Sequence, residues 1–132
     1  MKKYNFKHFV RVTGDNPFTD IFAINKISKE HIKNRNDYTY TSGLIRGTKP
    51  EIFSLKSLIT CNKLSVDPLS SEYLTFYYLR ETFRIQKLNF KKKIHNQNKI
   101  SISIDTPKHL VNLKKIIKNK NDVYIKRNCL LK

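Results

Sequence analysis

The chain has 132 residues, room for one compact domain with extensions and too little for two ordinary ones. Its 27 Lys and Arg against 10 Asp and Glu give a net charge of +17, which repels itself in a free domain and so points to a polyanionic partner. Cys61 and Cys129 form no CxxC pair, and His8, His31, His95 and His109 are scattered, which argues against a disulfide framework or a zinc site.

Residues 1–50 read as a partly irregular N-terminal extension. Thr13-Gly14-Asp15-Asn16-Pro17 is turn chemistry, and a short helix is expected around Thr19 to His31 with Ile24 and Ile27 on one face. Lys33-Asn34-Arg35-Asn36-Asp37 is a polar loop, and Ser42-Gly43 and Gly47-Thr48-Lys49-Pro50 break the chain again. Arms of this kind are often ordered only against a partner.

From residue 51 the pattern sharpens. Glu51 to Thr60, rich in Ile, Phe and Leu, suits a strand. Asp67-Pro68 opens a helix, with Asp as cap and Pro in the first turn, and Leu69, Tyr73, Phe76 and Phe83 recur near helical spacing to about residue 86. Leu88 and Phe90 suggest a strand that runs into the basic tip Lys91-Lys92-Lys93, and His95-Asn96-Gln97-Asn98 turns the chain. Ile100-Ser101-Ile102-Ser103-Ile104 alternates as a strand with one buried face, exposing its serines. Asp105-Thr106-Pro107 starts a second helix, with Asp or Thr as its cap and Leu110, Leu113 and Ile117 as its apolar stripe. Val123, Tyr124 and Ile125 make a last short strand.

The order from residue 51 is strand, helix, strand, strand, helix, strand. Two split βαβ halves of this kind give a ferredoxin-like α+β core over 51–132, a largely antiparallel four-stranded sheet with both helices on one face. The fold hosts many functions, so function has to come from the side chains.

No GxSxG, P-loop or HExxH motif is present, and Asp67 and Asp105 read as helix caps, so no enzyme, cofactor, metal or small-molecule substrate is expected. The charge is uneven. Residues 1–83 carry 13 basic and 8 acidic side chains, a net of +5, whereas 84–132 carry 14 basic side chains against Asp105 and Asp122, a net of +12. AT-rich coding explains part of the lysine, in a chain rich in Ile and Asn with a single alanine, Ala23, but it does not deplete acids. The expected RNA-binding set is Lys91, Lys92, Lys93, His95 and Lys99 on a hairpin tip, Lys114, Lys115 and Lys118 on a helix face, and Lys126 and Arg127 near the C-terminus. No apolar run approaches membrane-spanning length, and no membrane partner is expected.

Ile102-Ser103-Ile104-Asp105-Thr106-Pro107, with Leu110, Leu113 and Val123-Tyr124-Ile125-Lys126 after it, resembles the C-terminal part of the tenth small-subunit ribosomal protein family. Leu64-Ser65-Val66-Asp67-Pro68-Leu69 resembles that family's entry into its first helix, and the likeness spans about residues 52–127. It departs between Phe90 and Lys99, where the family's Ser-Pro-His segment has no counterpart. The resemblance implies a structural constituent of the small ribosomal subunit, bound to rRNA and neighbouring ribosomal proteins. The basic start, Met1 to Lys7, lacks the Arg- and Ser-rich character of an imported presequence. With the AT-rich bias this points to an organelle-encoded protein of the mitochondrial ribosome, or to the cytoplasmic ribosome of an AT-rich organism. Another ribosomal family, a free nucleic-acid-binding regulator and a small enzyme of unseen chemistry are the alternatives.

Overall fold

A computed structural model of the protein describes residues 5–64, 78, 83–90 and 101–118. Its elements are β1 (His8–Arg11), α1 (Ile21–Lys33), β2 (Tyr38–Ser42), β3 (Glu51–Ser54), α2 (Leu55–Leu64), β4 (Ile85–Asn89) and α3 (Pro107–Lys118). The four strands form one mixed sheet in the order β1-β3-β2-β4. β3 is antiparallel to both β1 and β2, while β4 lies parallel to β2. β1, β2 and β4 therefore run the same way, and their carboxyl ends emerge at one end of the sheet.

Period-2 alternation sends each strand's side chains to two different cores. Val10, Ile52 and Leu88 pack with Ala23 and Ile27 of α1 on one face. Phe9, Phe53, Tyr38, Tyr40 and Ile85 pack with Cys61 of α2 and with Tyr78 on the other. The register pairs Phe9 with Phe53 and Val10 with Ile52, so like faces coincide. Phe53 is fully buried, its ring 5.2 Å from Phe9 and 4.6 Å from Tyr38. Burying a side chain of this kind stabilises the fold by about 1.5–3 kcal/mol. Because the sheet is covered on both faces, the expected arrangement with both helices on one face is wrong.

The helices start and stop for identifiable reasons. Asp20 caps α1 by accepting the Ala23 amide at 2.9 Å, and Ala23, Ile27 and His31 recur every four residues on its buried side. α1 ends in a turn in which the Asn36 amide reaches back to the His31 carbonyl at 3.0 Å and Arg35 takes a left-handed φ of 51°. α2 begins with no loop at all. The Ser54 hydroxyl accepts the Ser57 amide at 3.1 Å, so the chain passes from strand to helix within one residue. The strand expected over Glu51 to Thr60 is half strand and half helix for that reason.

The ferredoxin-like expectation is overturned. The first fifty residues are no irregular arm, since they supply β1, α1 and β2 to the sheet that holds β3 and β4. Residues 101–104, read as a sheet strand, make instead an isolated bridge between Ser101 and Arg46 and hydrogen bonds to loop carbonyls. The helix expected to run to about residue 86 gives way to β4 at Ile85. Most of that helix, the 91–99 tip and the 123–125 strand lie outside the described residues. No helix among the described residues is long and apolar enough to cross a membrane.

Candidate functional site

Two loops leave the carboxyl ends of β1 and β2, residues 12–20 and 43–50. The Asp20 amide donates to the Thr48 carbonyl at 3.0 Å and ties them together. Residues 101–105 lie across both: the Ile102 amide donates to the Arg46 carbonyl at 2.9 Å and the Ile104 amide to the Asp15 carbonyl at 2.8 Å. Beneath them Ile45, Ile102 and Leu113 form a third small core that seats α3. In open sheets with parallel strands, ligands bind outside the carboxyl ends of the strands.

This layering brings two acids together. The Ser103 hydroxyl stands 3.1 Å from Asp15 Oδ2 and 2.9 Å from Asp105 Oδ1. Asp15 sits in a tight turn in which the Asn16 amide donates to the Thr13 carbonyl at 3.0 Å and Asn16 Nδ2 to Thr13 Oγ1 at 2.6 Å. Side-chain hydrogen bonding with Thr13 lowers the Asp15 pKa below its ordinary 3.8, helped by its own backbone amide, Ser103 and the Arg11 charge, against a smaller opposing desolvation. Asp15 is thus an anion throughout the physiological range.

Asp105 is free for the site because Thr106 does the capping. Thr106 Oγ1 accepts the His109 amide at 3.3 Å, at the start of α3. His109 Nδ1 accepts the Asp105 amide at 3.2 Å, which fixes the backbone from which the Asp105 carboxylate projects. Arg46 Nη2 approaches that carboxylate at 3.9 Å, a long and largely exposed ion pair.

Beside the two acids lies a cavity of about 230 Å³ whose lining includes Arg11, Thr13, Asn16, Arg46, Lys49 and Glu51. Glu51 accepts from Arg11 Nη1 at 2.9 Å and from the Tyr38 hydroxyl at 2.6 Å. Burial raises the Tyr38 pKa well above its ordinary 10, so the hydroxyl stays protonated as the donor. Glu51 therefore anchors Arg11, while Arg46 and Lys49 are exposed cations at the rim. Among the described residues, no cluster of three or more His, Cys, Asp and Glu side chains could hold a metal ion. Two carboxylates fit the protein share of a Mg²⁺ shell that substrate phosphates and water complete.

Residues 1–129 match the model of a protein family described as cytidylyltransferase. The chain belongs to the cytidylyltransferase family. It is 31% identical over 109 residues to an uncharacterized protein of Methanocaldococcus jannaschii, across 81% of this chain and 44% of that protein. It shares its fold, with a TM-score of 0.77 and 24% identity, with a cytidylyltransferase of Leptospira borgpetersenii, across 89% of this chain and 51% of that one. The chain spans about half the length of these two proteins.

Membership of a cytidylyltransferase family corrects the reading of the chain as a ribosomal protein of the tenth small-subunit family, and with it the expectation of a non-enzymatic rRNA-binding constituent of translation. Ile102 to Asp105 lies in the segment that crosses the two loops and Pro107 opens α3, while the Val-Tyr-Ile segment that completed the resemblance lies outside the described residues. rRNA and ribosomal neighbours are accordingly withdrawn as the expected partners.

Of the residues expected to bind RNA, Lys114 and Lys115 are exposed on α3, outside the cavity lining, and Lys118 ends that helix. Lys91, Lys92, Lys93, His95, Lys99, Lys126 and Arg127 lie outside the described residues. Sequence reasoning passed over Asp15, Ser103 and Asp105. The signal for Asp105 was present: Asp105-Thr106-Pro107 holds two capping side chains where one suffices.

Proposed function

We propose that the protein acts in cytidylyl transfer from CTP to an acceptor oxygen, with Asp15 and Asp105 as the cation-binding carboxylates of the site. The acceptor oxygen attacks the α-phosphorus, the bond between the α-phosphate and the β-phosphate breaks, pyrophosphate leaves, and the acceptor's proton passes to solvent. A bound Mg²⁺ would neutralise triphosphate charge and orient the leaving group. The chain's own part is to bring two acids from loops far apart in sequence onto one hydroxyl, and to line the neighbouring cavity with Arg11, Arg46 and Lys49 against phosphate charge. The observation that carries the reading is the meeting of Asp15 and Asp105 at Ser103, beside that cavity, in a chain of this family.

The test is pyrophosphate release from CTP by the full chain, with Mg²⁺ and a panel of sugar and alcohol acceptors. Release from CTP in preference to ATP, GTP and UTP is expected, with a loss of roughly a hundredfold or more on Asp15→Asn. Equal release by Asp15→Asn, or none with any acceptor, would remove the proposal.

A further inference from the structure

We infer that Ser103 is a positioning residue that sets the two carboxylates for cation binding, an inference that rests on the reading of Asp15 and Asp105 given above. Ser103 is 4% exposed, and its hydroxyl is the group both acids share, although Asp15 lies 88 positions away in sequence. A hydroxyl carries one hydrogen, so it can donate to one carboxylate at a time. The pair therefore has two negative groups competing for one donor, an arrangement that an added cation relieves.

Ser103 cannot drift to suit one partner. The amides on either side of it, Ile102 and Ile104, are bonded to the Arg46 and Asp15 carbonyls. Gly47 closes the third side: a Cβ there would stand 2.5 Å from the Ser103 amide nitrogen and 2.8 Å from the Ile102 carbonyl carbon. Each acid also holds a partner of its own, Thr13 for Asp15 and Arg46 for Asp105. Ser103 is thus the backbone-held point at which two separately partnered carboxylates meet. Without its hydroxyl each would relax towards its own partner, and the cation would meet a splayed pair.

The experiment is Mn²⁺ binding to the full chain, followed by electron paramagnetic resonance with and without CTP, for wild type, Ser103→Ala, Ser103→Thr and Asp15→Asn. Circular dichroism confirms that each variant is folded. Ser103→Ala should weaken Mn²⁺ binding roughly tenfold to a hundredfold, the usual range for losing a group that orients metal ligands. Ser103→Thr, which keeps the hydroxyl, should stay near wild type, a rescue that a purely space-filling role would not give. Ser103→Ala binding as tightly as wild type would overturn the inference, as would a folded Ser103→Thr as weak as Ser103→Ala. Wild type that binds no Mn²⁺ under either condition, or Asp15→Asn that binds it equally well, would overturn the carboxylate site itself.

Discussion

The backbone of Gly47 runs so close to Ser103 that a Cβ on residue 47 would stand 2.5 Å from the Ser103 amide nitrogen. Gly47 also has a φ of +93°, a conformation other residues rarely adopt. Contact and conformation together make the 101–105 strap depend on a glycine. Gly47→Ala should cost about 2 kcal/mol or more, seen as a lower urea midpoint. Gly14→Ala is the contrast: nothing lies within 4 Å of its Cβ position and its φ is not left-handed, so its midpoint should barely move.

Glu51 serves a buried hydroxyl and a cation at once. Tyr38 is 4% exposed, and its hydroxyl donates to Glu51 at 2.6 Å. Glu51→Ala leaves that donor without its acceptor and should destabilise by about 1–3 kcal/mol. Glu51→Gln keeps an acceptor and should lose less. Denaturant unfolding of both variants checks the order, and an equal loss would mean that the Tyr38 bond contributes nothing.

His31 should make the fold sensitive to acid. It is fully buried between α1 and the sheet, with Nδ1 2.8 Å from Thr39 Oγ1 and Nε2 3.1 Å from His8 Nδ1. Desolvation first, and then the His8 charge, lower its pKa from 6.5 to about 4, against an opposing pull from Asp37. The unfolded chain takes up this proton at higher pH than the folded one. Stability from His31 is therefore complete above about pH 6.5 and is lost as pH falls towards 4. Thermal melts should show the midpoint dropping across that window, with a shallower drop in His31→Gln. An unchanged slope in the variant would assign the acid sensitivity elsewhere.

What the sequence shows locally, the fold largely keeps. A helix runs over Ile21–Lys33, where apolar spacing expects one around Thr19 to His31, and Pro107 opens α3 where Asp105-Thr106-Pro107 expects a helix start. The topology is a different matter. β4 pairs parallel to β2, joining residues such as Tyr38 and Ile85, and no periodicity within either strand encodes that partner. The order of elements after residue 51 suggested a self-contained sheet, yet β3 lies between two strands from before it.

The site was hidden by the same gap between local and distant information. Asp15 sits among Gly, Asn and Pro and reads as turn chemistry, which it also is. Ser103 alternates with isoleucines and reads as an exposed strand position. It is buried because its hydroxyl is satisfied by acids that only the folded chain brings near. Charge, as in the lysine runs, is visible in sequence, whereas convergence is not.

The most direct test of the central claim, that Asp15 and Asp105 form one cation-dependent nucleotide site, is calorimetric titration of CTP into the full chain with Mg²⁺ and then with EDTA. CTP binding is expected to need Mg²⁺ and to weaken at least roughly tenfold in both Asp15→Asn and Asp105→Asn. CTP binding that survives EDTA, or that either substitution leaves unchanged, would contradict it.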